Sequence, residues 1–410
     1  MKAVPAMCRL PMFRRWLSMA VESEFDVAII GSGPAGSHAA LCCEKNGLKA
    51  AVFEEHKQAG EPVHCGECLS DLAISKFGLG LPESAVSLKV KGIRVIFPDG
   101  YTTILHETGV VLEKHLFERH ISSLAEKSGA GYFYSSRVSS LARAGGGWKV
   151  TAGGKDYSAK IVIDGSGVAQ AASKMLAMEQ QSSTVLGAQY EMEGIPQEGY
   201  IDFYLWPRLA PHGYLWMIPK SNGRANVGLV TSDKQKIKLY LNQFIKEMGW
   251  EKKTINKSFG GLIPSSGPLP QTYDDGLMLI GDAAGFTSPL FEGGTHLSLM
   301  SGKFAADVAK MAVGAGEYDS RVLCEYERLW SAEFPDYGKL ISGKESLYAF
   351  SEGELNQIGH SLPKELTELS ALDKAGVFFR LLATNPGLLG KNAIGALMGF
   401  AYSRAERYGW

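Results

Sequence analysis

In its first part the chain gathers its apolar positions into short unbroken runs. Asp26-Val27-Ala28-Ile29-Ile30 has the pattern of a strand buried on both faces, as in a parallel sheet. It passes straight into Gly31-Ser32-Gly33-Pro34-Ala35-Gly36. The alanine-rich stretch His38 to Asn46 then predicts a helix stopped at Gly47. A second strand is predicted from Lys49 to Phe53, with Glu54 at its end. The strand-to-turn pattern returns at Ile161-Val162-Ile163-Asp164-Gly165-Ser166-Gly167. It returns again at Gly276 to Ile280, which runs into Gly281-Asp282-Ala283-Ala284-Gly285. Glu292-Gly293-Gly294-Thr295-His296 opens a predicted long helix carrying Ser298 to Val308. Between Thr184 and Pro270 β-branched and aromatic residues alternate, bounded by Gly and Pro, which predicts an antiparallel sheet. From about Asp319 the chain reads as helical, with Leu, Phe and Trp throughout.

The first of these units has the spacing of a dinucleotide-binding turn. Gly31 allows the tight turn, Gly33 lets a pyrophosphate approach the backbone, and Gly36 lets helix and strand pack closely. The helix start offers free N–H groups and a positive dipole end to phosphate. Glu54 stands about 20 residues beyond the glycines, where an acid accepts hydrogen bonds from ribose hydroxyls. The later segments point to a flavin. Asp282 is placed to hold ribityl hydroxyls, and N–H groups near Gly294 and Thr295 face the pyrimidine end. Gly165-Ser166-Gly167-Val168-Ala169-Gln170 begins a second glycine motif but ends in glutamine, so no dedicated NADPH domain is expected. Electrons must then come from a transient donor: ferredoxin, a reduced deazaflavin or NAD(P)H.

Composition narrows the class. Of 410 residues, 45% are hydrophobic, and 42 Lys+Arg balance 43 Asp+Glu, so no basic field exists to hold a nucleic acid. No uncharged apolar run reaches the ~18–20 residues of a membrane-spanning helix. The six cysteines are scattered, which argues for a reducing compartment and a cytoplasmic protein. Residues 1–22 carry Lys2, Arg9, Arg14 and Arg15 beside Phe13 and Trp16, with no unbroken apolar stretch for a secretory signal. They read as a membrane-surface anchor on the inner face of the cell membrane, as a tail, or as sequence before a start at Met19. Ala375 to Tyr402, apolar apart from Arg380 and Lys391 within a mostly uncharged run, reads as a lid on the sheet, a cap on a tunnel, or a segment lying on a bilayer.

The order of the three strand-turn motifs resembles that of FAD proteins of the aromatic-hydroxylase type, and within it the chain resembles the geranylgeranyl reductase family. Three further segments carry the likeness: Glu61-Pro62-Val63-His64-Cys65-Gly66-Glu67-Cys68-Leu69-Ser70, Pro211-His212-Gly213-Tyr214-Leu215-Trp216-Met217-Ile218-Pro219, and Ser288-Pro289-Leu290-Phe291-Glu292-Gly293-Gly294. The resemblance spans roughly residues 26 to 306. It implies FAD contacts at Ala35, Glu54, Cys65, Gly66, Cys68, Lys114, Val138, Asp282, Gly294 and Thr295, beside Gly31, Gly33 and Gly36 of the turn. Two positions depart from the family pattern. Cys68 replaces a glycine, a constraint if that position needs a positive φ. Lys114 replaces an arginine and loses its planar fork.

The implied fold is α/β (an α+β two-domain arrangement). A Rossmann-like FAD-binding domain occupies 23–183 and 271–315 and an antiparallel β substrate domain 184–270; an extension covers 1–22 and a helical C-terminal region 316–410. The implied chemistry is saturation of isoprenoid double bonds in a polyprenyl lipid. Reduced flavin supplies hydride, and a proton must reach the other carbon. Proton-donor candidates are His296, Tyr214, Glu67 and Cys65. Tyr214 and Trp216 lie two apart and so share a face; with Pro211 and with Trp206 of the run Phe203-Tyr204-Leu205-Trp206, they are the expected substrate wall. Cys65-Gly66-Glu67-Cys68 reads as a redox pair or as packing beside the flavin, and it lacks the second half of a zinc site. Two other readings use the same scaffold: a monooxygenase of an aromatic or quinone ring, and a flavoprotein that carries prenyl lipid without turnover.

Overall fold

The computed structural model describes residues 24–366, together with 387–390 and positions 393, 395, 396 and 399. The extension 1–22 and nearly all of the Ala375–Tyr402 segment, with their expected membrane roles, lie outside the described residues. Two eight-stranded sheets dominate. The first orders its strands Tyr273–Asp274, Leu277–Leu279, Lys155–Asp164, Glu24–Ile30, Ala50–Phe53 and Gly131–Phe133, with Val138–Ala144 and Gly147–Ala152 hairpinned onto Lys155–Asp164. The pairs from Leu277–Leu279 through Gly131–Phe133 are parallel. Covered on both faces, these strands need apolar residues throughout, and Ala50–Phe53 and Leu277–Leu279 are buried at every position. Helices Pro34–Lys45 and Thr295–Ala315 pack against each other on this sheet. A Cβ on Gly302 would stand 2.5 Å from the Ala35 carbonyl oxygen, so small residues set that approach.

The second sheet runs Thr254–Pro264, Thr184–Glu193, Arg224–Thr231, Tyr214–Pro219, Tyr200–Tyr204, Gly92–Ile96, Thr102–Leu105 and Glu365–Leu366. Its membership differs from the expected 184–270 unit. Gly92–Ile96 pairs in parallel with Tyr200–Tyr204, so a hairpin from the first 183 residues completes this second sheet. The 184–270 segment also contains a helix, Ile237–Glu247, whose buried Ile237, Leu241, Phe244 and Ile245 follow helical spacing. That helix covers one face of the sheet, where Leu215, Met217, Val227 and Leu229 point. The alternate residues Tyr214, Trp216, Ile218 and Val230 point to the other face, toward Val111, Leu290 and the helices Tyr337–Tyr348 and Glu352–Ser361. A three-stranded sheet of Cys68–Ser70, Gly109–Leu112 and Val86–Val90 joins the two halves.

Candidate active site

A groove of about 570 Å³ runs over the ends of the parallel strands. Gly31, Gly33, Glu54, Val138, Gly165 and Ser166 line it. Gly31 adopts φ +90°, and the helix start at Gly33 and Pro34 has no side-chain cap, so its N–H groups face the groove without a protein acceptor of that kind. Glu54 is held from four directions. Its Oε2 accepts from the Ser32 N–H (2.8 Å) and the Ser32 hydroxyl (2.9 Å), and its Oε1 meets the His56 N–H (2.8 Å) and ring Nδ1 (2.7 Å). Burial opposes ionisation, but these hydrogen bonds outweigh it and hold the carboxyl below its ordinary value. A ribose hydroxyl here would compete with Ser32 or His56 for the carboxylate. The open space at Gly33, where a Cβ would meet nothing within 4 Å, and the preformed turn fit the diphosphate half of FAD. Glu54→Gln is expected to weaken FAD binding about tenfold, ~1.4 kcal/mol. Titration of apoprotein with FAD, read by flavin fluorescence, checks this.

The loop 61–68 links that groove to a second space. Glu61, Pro62 and His64 line the groove, while Cys65, Gly66, Glu67 and Cys68 line an adjoining cavity of about 170 Å³. Gly294 and Thr295, at the start of helix Thr295–Ala315, line the same cavity, so the loop 61–68 and that helix start meet there. Asp282 lies just behind: its Oδ1 accepts from the Thr287 hydroxyl (2.8 Å) and a Cβ on Gly294 would stand 3.5 Å from it. The far wall is apolar sheet: Ile93, Val95, Ile201, Phe203, Tyr214, Trp216 and Val230 contribute. Phe203 and Phe291 stack at 5.8 Å with their planes 9° apart, and Tyr214 meets both edge-on. Tyr214 and Trp216 therefore share one face of their strand and line the cavity. Trp206 and Pro211 do not. Trp206 packs on Tyr204 and Phe244 on the opposite face, and Pro211 serves through its carbonyl, which accepts from the Thr231 hydroxyl. Pleating explains the error, because Phe203 and Tyr204 must face opposite sides.

A polar network fixes the loop from beneath. Glu67, at φ +74°, accepts from the Lys114 N–H through Oε1 (3.0 Å), and from Lys220 and Asn226 through Oε2 (2.7 Å each). Lys220 also reaches Glu113 (3.2 Å) and Glu191 (3.3 Å), and Arg224 bridges the same two acids. Burial opposes both charges at Glu113 and Lys220. The neighbours prevail, drawing the Glu113 carboxyl down to about 2 and the Lys220 amine up. Gln189 ties the aromatic wall to the loop, accepting from the Trp216 indole (2.9 Å) and donating to the Cys65 carbonyl (2.6 Å). Glu67 is the residue with positive φ, whereas Cys68 begins an ordinary strand, so replacing a glycine at Cys68 carries no backbone strain. Lys114 is buried and its ammonium pairs with Glu118, which together with other neighbours raises it despite burial. Ala35 packs at the first helix–strand junction, where a Cβ on Gly281 would stand 3.0 Å from its own Cβ.

The four proton-donor candidates separate. His296 does not line the cavity; its ring meets Phe77 edge-on and Met300 through sulfur, and burial with Lys76 nearby lowers it to about 4. Tyr214 donates its hydroxyl to the Phe291 carbonyl (2.9 Å), and burial pushes the phenol well up. Glu67 has both oxygens taken, as above. Cys65 is a free thiol raised by burial, and so is Cys68; neither forms a disulfide. Sequence reasoning missed Gln189, Lys220 and Glu292. Glu292 lines the cavity beside Tyr214, and its place between Phe291 and Gly293 in the turn was its one visible signal. No His/Cys/Asp/Glu cluster able to hold a metal occurs among the described residues, and no described helix is long and apolar enough to cross a membrane.

Known proteins share this architecture. Residues 184–262 match the geranylgeranyl reductase catalytic domain, and residues 26–181 the FAD dependent oxidoreductase family. The chain is 31% identical over 384 residues to the digeranylgeranylglycerophospholipid reductase of Methanocaldococcus jannaschii, covering 89% of this chain and 96% of that one. Against the protein of the same name from Methanothrix thermoacetophila it is 32% identical over 389 residues, covering 89% and 97%. The crystal structure of a geranylgeranyl bacteriochlorophyll reductase-like protein from Thermoplasma acidophilum superposes with TM-score 0.82 at 28% identity, over 91% of this chain and 99% of that one. A flavin-dependent brominase, at TM-score 0.69 and 18% identity over 94% and 96% of the chains, shares the fold. With groove, cavity and both sequence matches in agreement, the chain belongs to the geranylgeranyl reductase family of FAD-dependent oxidoreductases.

Proposed function

We propose that this reductase saturates the isoprenoid double bonds of a digeranylgeranyl glycerophospholipid. The carrying observation is the cavity itself. It is walled by Phe203, Tyr214, Trp216 and Phe291 and opens onto the loop and helix start that would flank an isoalloxazine ring. A polyprenyl tail gains about 0.8 kcal/mol per buried CH₂ in such a space. Exclusion of water keeps the reacting alkene away from competing proton transfers. Bound and reduced, FAD supplies the hydride; the residues of the chain orient the tail, keep the site dry and provide the proton. The reductant that reloads the flavin is a transient donor, since the Gly165–Gln170 turn lacks the third glycine of a second dinucleotide motif. The substrate resides in a bilayer, so the protein meets the membrane peripherally.

An anaerobic single turnover tests this. Photoreduced holoprotein is mixed with digeranylgeranylglyceryl phospholipid in detergent, and flavin reoxidation and product mass are followed together. Reoxidation with a gain of two mass units per double bond is expected. Flavin that stays reduced with the lipid overturns the reading. Oxygen gain in air with an aromatic substrate would favour the monooxygenase instead.

A further inference from the structure

Glu292 sits in an unusual place for an acid. Its side chain is 5% exposed and lines the apolar cavity. One carboxyl oxygen, Oε2, is buried and has no hydrogen-bond partner, and the other lies 3.6 Å from the Lys344 ammonium. The backbone at Glu292 adopts φ +51°, an uncommon conformation for a residue other than glycine. The turn is clamped by hydrogen bonds from the Glu292 N–H to the Ser288 carbonyl and from the Ser288 N–H to the Gly293 carbonyl. The carboxyl is thus held one residue before the Gly293–Thr295 segment. An orphaned buried oxygen is costly for a carboxylate, much less so for a carboxylic acid.

Resting on the reductase reading, we propose that Glu292 is the catalytic acid that gives its proton to the alkene, and that Lys344 is the positioning residue through which it is recharged. In the step, the alkene π pair takes the Glu292 proton as the O–H bond breaks and a C–H bond forms. The hydride that reduced flavin supplies completes the second carbon. The carboxylate left behind faces Lys344, whose side chain is 15% exposed and provides the route to solvent protons. Other groups near the acid are Tyr214, committed to the Phe291 carbonyl, and Tyr348, committed to the Leu290 carbonyl (3.2 Å); burial raises both phenols far above use as acids. Glu67 and Glu107 share the cavity wall; Glu67 is saturated by donors, and Glu107 carries an interaction of its own. Burial raises the Glu292 carboxyl to about 7, with Lys344 and Tyr214 pulling against it, so the acid holds its proton below neutrality and gives it up above.

Two readouts test this. Infrared difference spectra of the flavin-free protein between pH 5 and 9 are expected to show a protonated-carboxyl band titrating near pH 7. That band should be absent in Glu292→Gln and shifted to higher pH in Lys344→Met. Single turnovers of photoreduced holoprotein with the lipid are expected to slow 10²- to 10⁴-fold in Glu292→Gln, with FAD affinity unchanged and the fall of rate above pH 7 abolished. Glu345→Gln, an exposed acid next to Lys344 in sequence and outside the cavity lining, is the comparator and should keep that fall. An unaltered infrared titration in Glu292→Gln, a wild-type turnover rate in that variant, or an unmoved pH limb in Lys344→Met overturns the proposal. If wild type itself leaves the lipid unreduced, the reductase reading fails, while the infrared titration still reports whether Glu292 holds the proton.

Discussion

Lys220→Ala is expected to remove about 3–5 kcal/mol of folding stability, because it strands buried acids without their cation. The Lys220 side chain is 1% exposed and touches three carboxylates, Glu67, Glu113 and Glu191. Arg224 is the second cation of the group, but it reaches Glu113 and Glu191 and not Glu67. Removing Lys220 therefore leaves Asn226 and the Lys114 N–H as the remaining donors to Glu67. The loss should shrink as pH falls. In the variant the stranded acids bind protons in the folded state before they do in the unfolded one, so acid favours the folded form. Urea denaturation of wild type and variant at pH 5.5 and 8 measures both effects. Equal midpoints at pH 8 would show that the network adds nothing net. The exposed Lys303–Asp307 pair is the contrast, and breaking it should cost no more than about 0.5 kcal/mol. Because Glu67 belongs to the Cys65–Cys68 loop, Lys220→Ala should also loosen FAD binding, which links this stability prediction to the site.

What could be read in advance follows the range of the physics. The Gly31–Gly36 turn, the Glu54 acid and the Gly281–Gly285 turn are local: a strand end, a few glycines and a helix start sit within one stretch of chain, so their chemistry shows in spacing. The same-face placement of Tyr214 and Trp216 is local too, since it follows from the strand's period of two. The Lys220 network was not legible, because its members come from four separated segments and, Glu67 apart, each alone reads as a solvated charge. Glu292 escaped for a similar reason. In sequence it is one more acid beside two glycines, and only the fold supplies the apolar wall and the single distant lysine. Trp206 and Pro211 were misplaced because an aromatic run and a motif edge suggest proximity without specifying a face. The hairpin of Gly92–Ile96 and Thr102–Leu105 joins the second sheet by a parallel pairing with a strand about a hundred residues later, which no local pattern announces.

Gly36→Ala and Gly33→Ala should both yield a protein with little bound FAD, yet for different reasons that one pair of measurements separates. A Cβ on Gly36 would stand 2.0 Å from the Gly31 carbonyl oxygen, which is backbone and has nowhere to go. The first helix must then lift from its strand, at a cost of 1–3 kcal/mol or more on the scale of overpacked cores. The variant should unfold earlier even without flavin, and its FAD affinity should fall at least about 100-fold, ~2.7 kcal/mol. Gly33 is different. Its φ is −65°, a Cβ there meets nothing within 4 Å, and the residue borders the groove. The flavin-free Gly33→Ala protein should match wild type within about 0.5 kcal/mol, because no native contact is disturbed. Its FAD affinity should still drop, because the new methyl occupies the space through which a pyrophosphate reaches the helix N–H groups. Melting of apoprotein beside FAD titration gives the two numbers for each variant. If Gly33→Ala binds FAD as wild type does, the diphosphate does not approach the backbone at this turn, and the cofactor must lie elsewhere along the groove.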